Sequence, residues 1–263
     1  MDRTSSTFDH DLPKDILQNI DKVVVHRLGD DDQSFMTTED VVGYVAPGTS
    51  YRVTLDGLIP TETPAARKSK RNEQGSAPAH VRVSGTWTTS DDTNAGDANI
   101  LGGFGTLALD RAVLEIPEAP STVDALAYYD AHLFKIGDSI EFETDANLPV
   151  TLMNIGSTYV EHYLKLEEKG GGTYIEYHDR PHFHMPIDEA ASGHMILGHS
   201  RDGDFVFSGF KIPFGYAIYT SPYVLHADAY LVGKFLVVYS VTDDFSTVIM
   251  RSADRRLVDV RIA

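Results

Sequence analysis

HDRPHFHMPIDEAASGHMILGHSRDGDFVFSGFKIPFGYAIYTSPYVLH, residues 178–226, holds six of the eleven histidines in the chain. His182 and His184 are two apart, so on an extended strand both side chains point to one face. Glu189 follows five residues after His184, and His226 comes after two further candidate strands. Three neutral imidazoles and one carboxylate are a donor set that suits a divalent first-row metal. The same stretch carries Arg201-Asp202-Gly203-Asp204 between GHMILGHS and DFVFSGFKIP. A central Asp-Gly pair between apolar runs predicts a hairpin with a two-residue turn.

Strand parity assigns further roles. If the segment from Tyr174 runs on regularly, Glu176, His178, Arg180, His182 and His184 share a face, with Pro181 as the place where that register breaks. Glu176 or His178 then lies beside the ion, as an orienting group or as an acid/base. Glu189, Met195, Leu197 and His199 share parity on the later segment, and His194 opposes them. Tyr216, Tyr219 and Tyr223 crowd the approach to His226. Tyr219 is the candidate for a hydroxyl that holds a substrate or donates a proton. The catalytic candidates are therefore Glu176, His178 and Tyr219, and the metal candidates are His182, His184, Glu189 and His226. Asp228 shares the parity of His226 and is the nearby carboxylate alternative to it.

The arrangement His182-x-His184, four residues, then Glu189 resembles the first motif of the cupin superfamily. Pro213-Phe214-Gly215 followed by His226 resembles its second. The resemblance covers roughly residues 147–250. It departs from the pattern in two places. The glycine after Glu189 is matched only by Gly198 at relaxed spacing, and His226 stands eleven residues beyond Gly215. Two readings of His226 follow: a fourth ligand reached through an extra bend, or a packing residue beside a three-ligand site. The resemblance implies an antiparallel β-barrel, or jelly roll, with a metal inside. Cupins include oxygenases, isomerases, epimerases, lyases and storage proteins.

Outward from this stretch, the chain reads as all-β. Alternating or β-branched runs separated by turn residues recur: VVVHRL (23–28), the Pro-Gly-split 42–58, HVRVSGTWT (80–88), 100–116, IGDSIEFE, PVTLMNIG, YVEHYLKLEE (159–168) and YLVGKFLVVYSV. Such spacing argues for a sandwich or barrel. Two helices are expected, over 12–22 and over 122–134 with Thr122 as N-cap. Residues 60–79 lack periodicity and hold Arg67, Lys68, Lys70 and Arg71, which predicts a mobile basic loop or a lid for an anionic ligand. PEAPST (117–122) reads as a linker. The expected division is 1–121, a β-rich N-terminal unit without a metal motif, and 122–263, the metal-binding barrel. A degenerate second cupin barrel is one form the N-terminal unit could take.

Composition narrows the function. The chain of 263 residues has a formal net charge of −17 and no cysteine. An acidic surface argues against nucleic acid and anionic membranes as partners, and thiolate ligands and disulfides are excluded. No apolar run approaches the length of a membrane span. The polar, acidic start is unlike a secretory leader, so a cytoplasmic location is expected. The expectation is a mononuclear metal enzyme acting on a small polar organic molecule, with homodimer formation left open. Fe(II) is favoured by the resemblance to cupin oxygenases, and Mn, Ni and Zn fit the same donors. Oxygenase chemistry stands first, isomerase, epimerase or lyase chemistry second. A non-catalytic ligand-binding or storage protein is the alternative from another class.

Overall fold

The computed structural model describes residues 12–65, 75–90, 104–240 and 242–263. It is all-β, with 49% strand against 8% helix, as the spacing of apolar runs predicts. Three layers are stacked. The middle layer is an antiparallel sheet in the order His26–Leu28, Phe35–Val45, Leu148–Ile155, Leu231–Val238, His182–Pro186, Tyr216–Thr220 and Ala131–Lys135. One of its faces packs on a small sheet of Ser139–Glu141, Ser50–Thr54 and Gly57–Pro60. There Phe183, Met185, Tyr219, Leu236 and Val238 meet Tyr51, Val53, Ile140 and Phe142 in one apolar cluster. Each such fully buried side chain stabilises the layer contact by roughly 1.5–3 kcal/mol.

The third layer is a sheet that curls into a closed seven-strand barrel. Its staves are Met195–Arg201, Leu225–Ala227, Tyr174–His178, Phe245–Ser252, Gly105–Leu109, Val81–Thr88 and Asp204–Phe210, which closes on Met195–Arg201. The barrel is mixed rather than purely antiparallel, because Gly105–Leu109 runs parallel to Phe245–Ser252. Closure leaves no free sheet edge along the staves. Trp87 donates from Nε1 to Ser246 Oγ at 3.0 Å and packs beside Tyr177 and Phe205, with ring centroids 5.4 and 6.1 Å away. The predicted Asp202-Gly203 turn is present. Both residues have positive φ, 57° and 83°, and Arg201 pairs with Asp204 across it.

Staves from both sides of residue 121 share each large sheet. Phe35–Val45 pairs with Leu148–Ile155, and Val81–Thr88 pairs with Asp204–Phe210. The halves expected as 1–121 and 122–263 are therefore interleaved in the sheets. Thr122 caps a helix as expected, its hydroxyl accepting from Ala125 N–H at 3.2 Å. That helix spans only Val123–Ala127 and gives way to the strand Ala131–Lys135. The helix expected over 12–22 is two short turns, Lys14–Leu17 and Ile20–Val23, which bury Ile16 and Val23. YVEHYLKLEE is not a strand: Val160–Leu164 is a π-helical turn. Tyr159 and Tyr163 stack on each other, centroids 5.4 Å apart, so the four-residue spacing of a helix outweighs the alternation read there. Arg67, Lys68, Lys70 and Arg71 lie outside the described residues. Among the described residues, no helix is long and apolar enough to cross a membrane.

Candidate metal centre

The face of the middle sheet turned towards the barrel carries His182 and His184, because Phe183 and Met185 alternate with them into the opposite cluster. Facing them, the stave Tyr174–His178 presents Tyr174, Glu176 and His178 by the same two-residue period. His226 sits directly opposite Glu176 on the neighbouring stave, and Thr247 opposes Glu176 on the other side. The chain crosses from the barrel wall to the middle sheet through the corner Asp179-Arg180-Pro181. Arg180 fixes that corner through Asp145 and through Thr144 Oγ1, the latter at 3.1 Å. The corner sets His178 and His182 against each other.

The result is a buried group of three histidines. One nitrogen from each of His178, His182 and His226 lies within 4.8 Å of the other two. Their ring centroids are 4.4 Å (178–182), 4.7 Å (182–226) and 4.9 Å (178–226) apart. Backbone carbonyls fix two of the rings. His178 Nδ1 meets Arg180 O at 2.6 Å and His226 Nδ1 meets Val224 O at 2.9 Å. A carbonyl only accepts, so each Nδ1 carries the proton and each Nε2 keeps its lone pair. Those two Nε2 atoms and His182 Nδ1, and His184 Nδ1 beside them, are buried with no hydrogen-bond partner among the described residues. Buried polar atoms are nearly always satisfied, so three orphaned nitrogens in one group call for an occupant. A ring whose other nitrogen is held by a carbonyl is the usual support of a metal-bound histidine.

Electrostatics favour the ligating form. Burial pulls His178 down to about 3 and His226 down to about 4, and it holds His182 well below the ordinary histidine range. Neighbouring imidazoles add to this in each case. The three rings are thus neutral in the folded state, as metal ligation requires. Glu176 is half-buried, accepts from Thr247 Oγ1 at 2.8 Å, and stands 3.7 Å from His226 Nε2. Burial, and then the charge of Asp228, push its carboxyl up to about 7. With His226 neutral, this contact is not an ion pair.

A second layer of polar groups adjoins the triad. His184 Nε2 lies 3.3 Å from Asp228 Oδ2, and Tyr174 donates its hydroxyl proton to Asp228 Oδ1. The hydrogen bonds from His184 and Tyr174 outweigh burial and hold Asp228 well below the usual carboxylate range. Arg27 donates from Nη1 to Tyr159 Oη at 3.1 Å in the same buried region.

Of the expected metal donors, the structure brings His182 and His226 together, with His184 beside them in contact with Asp228. Glu189 is not brought to the group; it is exposed, in the turn after Pro186. Tyr219 is not brought there either. It lies on the opposite face of the middle sheet, where its hydroxyl accepts from Glu143 N–H at 3.2 Å. His178, read from the sequence as an orienting or acid/base group, is in the triad itself. The signal for it was its parity with Glu176. What hid it was the corner at Pro181, which sends His178 and His182 into different sheets. Comparison with protein-family models, with curated proteins and with solved structures finds no match for the chain. The closed barrel and the histidine triad are compatible with a cupin-like fold.

Proposed function

We propose that the chain is a mononuclear metal-dependent enzyme acting on a small polar organic molecule, with the ion held by His178, His182 and His226. The observation that carries this reading is the group of three orphaned imidazole nitrogens, two of them with the tautomer set by backbone carbonyls. A divalent first-row ion fits an all-imidazole set, with Fe(II) favoured by the cupin resemblance and Mn, Ni or Zn as substitutes. When bound, such an ion supplies either oxygen binding or Lewis-acid polarisation of a carbonyl. Glu176 is the residue placed to move a proton beside it. Its carboxyl is poised near neutrality and reaches His226 without bonding to it. Asp228 holds His184 beside the triad, and Tyr174 donates to the same carboxylate.

Oxygenase chemistry is the first form of the proposal and isomerase or lyase chemistry the second. A non-catalytic binding protein would need no accessible group beside its ion. The half-buried Glu176 beside His226 and the partly exposed Tyr239, whose ring is 5.5 Å from His182, are polar groups of that kind. The test is oxygen uptake and carbonyl isomerisation on a panel of small hydroxy and keto acids, with Fe(II)-loaded and chelator-treated protein. Turnover that needs the metal and falls at least 100-fold in Glu176→Gln supports the enzyme. Full metal loading with no turnover on any substrate class favours the binding protein.

A further inference from the structure

Tyr239 is a group the donor set does not use. It follows directly on the strand Leu231–Val238, whose register against the middle strand pairs Phe183 with Val238 and His184 with Val237. Continued by one residue, that register puts Tyr239 opposite His182, on the same face as the triad. The rings confirm it, with centroids 5.5 Å apart in an edge-on arrangement. Tyr239 N–H donates to Pro149 O at 3.0 Å, which anchors the backbone. The triad histidines are buried, whereas Tyr239 is partly exposed. It therefore stands at the boundary of the buried triad, against His182. Its phenol lies among the side chains of Asp228, Arg27 and Glu176.

Resting on the metal-centre reading above, we propose that Tyr239 is the ligand-binding hydroxyl of this centre and that the ligand is a small oxygen anion of the carboxylate class. An ion held by the triad would supply a cation, and the neighbouring Tyr239 phenol a hydrogen-bond donor, to the oxygens of such a ligand. Neither partner selects a hydrocarbon in this way.

The experiment uses the full chain loaded with Co(II), with visible absorption of the bound ion as the readout and acetate as the probe. Wild type is expected to bind one Co(II) and then to shift its spectrum on titration with acetate. Tyr239→Phe is expected to keep its Co(II) affinity within about twofold and to bind acetate roughly 10- to 100-fold more weakly, the range for a hydrogen bond to a charged group. Acetate binding that is unchanged in Tyr239→Phe overturns the proposal. So does a loss of Co(II) affinity in that variant, which would make Tyr239 a structural residue, and so does a wild-type Co(II) protein that ignores acetate. A wild type that fails to take up Co(II) is recognised before acetate is added and refutes the metal reading instead.

Discussion

The buried, neutral state of the triad makes a quantitative demand on stability in acid. His178, His182 and His226 are neutral in the folded metal-free protein, two of them down to about 3 and about 4, while in the unfolded chain they titrate near 6.5. Below about pH 6 the unfolded state therefore binds three more protons than the folded one at these positions. Glu176 works in the other direction. Its folded value of about 7 lies above the unfolded value near 4.3, so the folded state holds one extra proton between those limits. Three minus one leaves two protons in favour of the unfolded state, or a slope of about 3 kcal/mol per pH unit between pH ~6 and ~4.5. Over that window the loss is about 4 kcal/mol, a large part of an ordinary folding free energy of about 5–15 kcal/mol. The stability is present above pH ~6.5 and is lost as pH falls towards the folded values. The assay is urea unfolding of chelator-treated protein at several pH values from 7.5 to 4.5. His178→Gln should remove one proton from the difference and roughly halve the slope. A stability that stays level between pH 6 and 4.5, or a slope indifferent to His178→Gln, would refute the reasoning.

Asp228→Ala removes the acceptor of Tyr174 and of His184 together. Two orphaned buried donors at about 1–3 kcal/mol each lower the melting temperature by roughly 5–20 °C in calorimetry. Because Asp228 is held well below the usual carboxylate range, this loss should be constant above about pH 4 and shrink only in stronger acid. Phe183→Ala opens a cavity on the opposite face of the same strand and should cost about 3–5 kcal/mol in urea unfolding while leaving metal stoichiometry intact. Glu189→Ala, at an exposed turn position, should change stability by less than about 0.5 kcal/mol and leave metal affinity unaltered in a chelator competition.

Much of the fold is legible in residue pattern because strand parity and turn chemistry are local. Asp202-Gly203 specifies its hairpin, and HFHMP specifies which residues face the site. Other features depend on contacts far apart in sequence. Nothing near Val81–Thr88 or Gly105–Leu109 states that these strands complete a barrel with staves beyond residue 170. The same limit explains the site. His226 belongs with His178 because their staves are neighbours on one wall, and His182 joins them from another sheet. A five-residue spacing suggests Glu189 as a donor, but the turn after Pro186 carries it to the surface. Tyr159 and Tyr163 show the converse case, where an alternating run hides a helical contact.

Metal content is the most direct test of the centre. Protein purified without added metal is measured by elemental analysis, together with His178→Ala, His182→Ala, His226→Ala and, as a control, His194→Ala, whose ring pairs with Glu118 rather than with the triad. The account predicts one first-row ion per chain in wild type and in His194→Ala, and a drop of at least about 100-fold in affinity for each of the three triad variants, beyond the range of a second-layer change. A wild type that holds no ion under saturating Fe(II), Mn(II), Ni(II) and Zn(II), or a His178→Ala protein that binds as tightly as wild type, would contradict it.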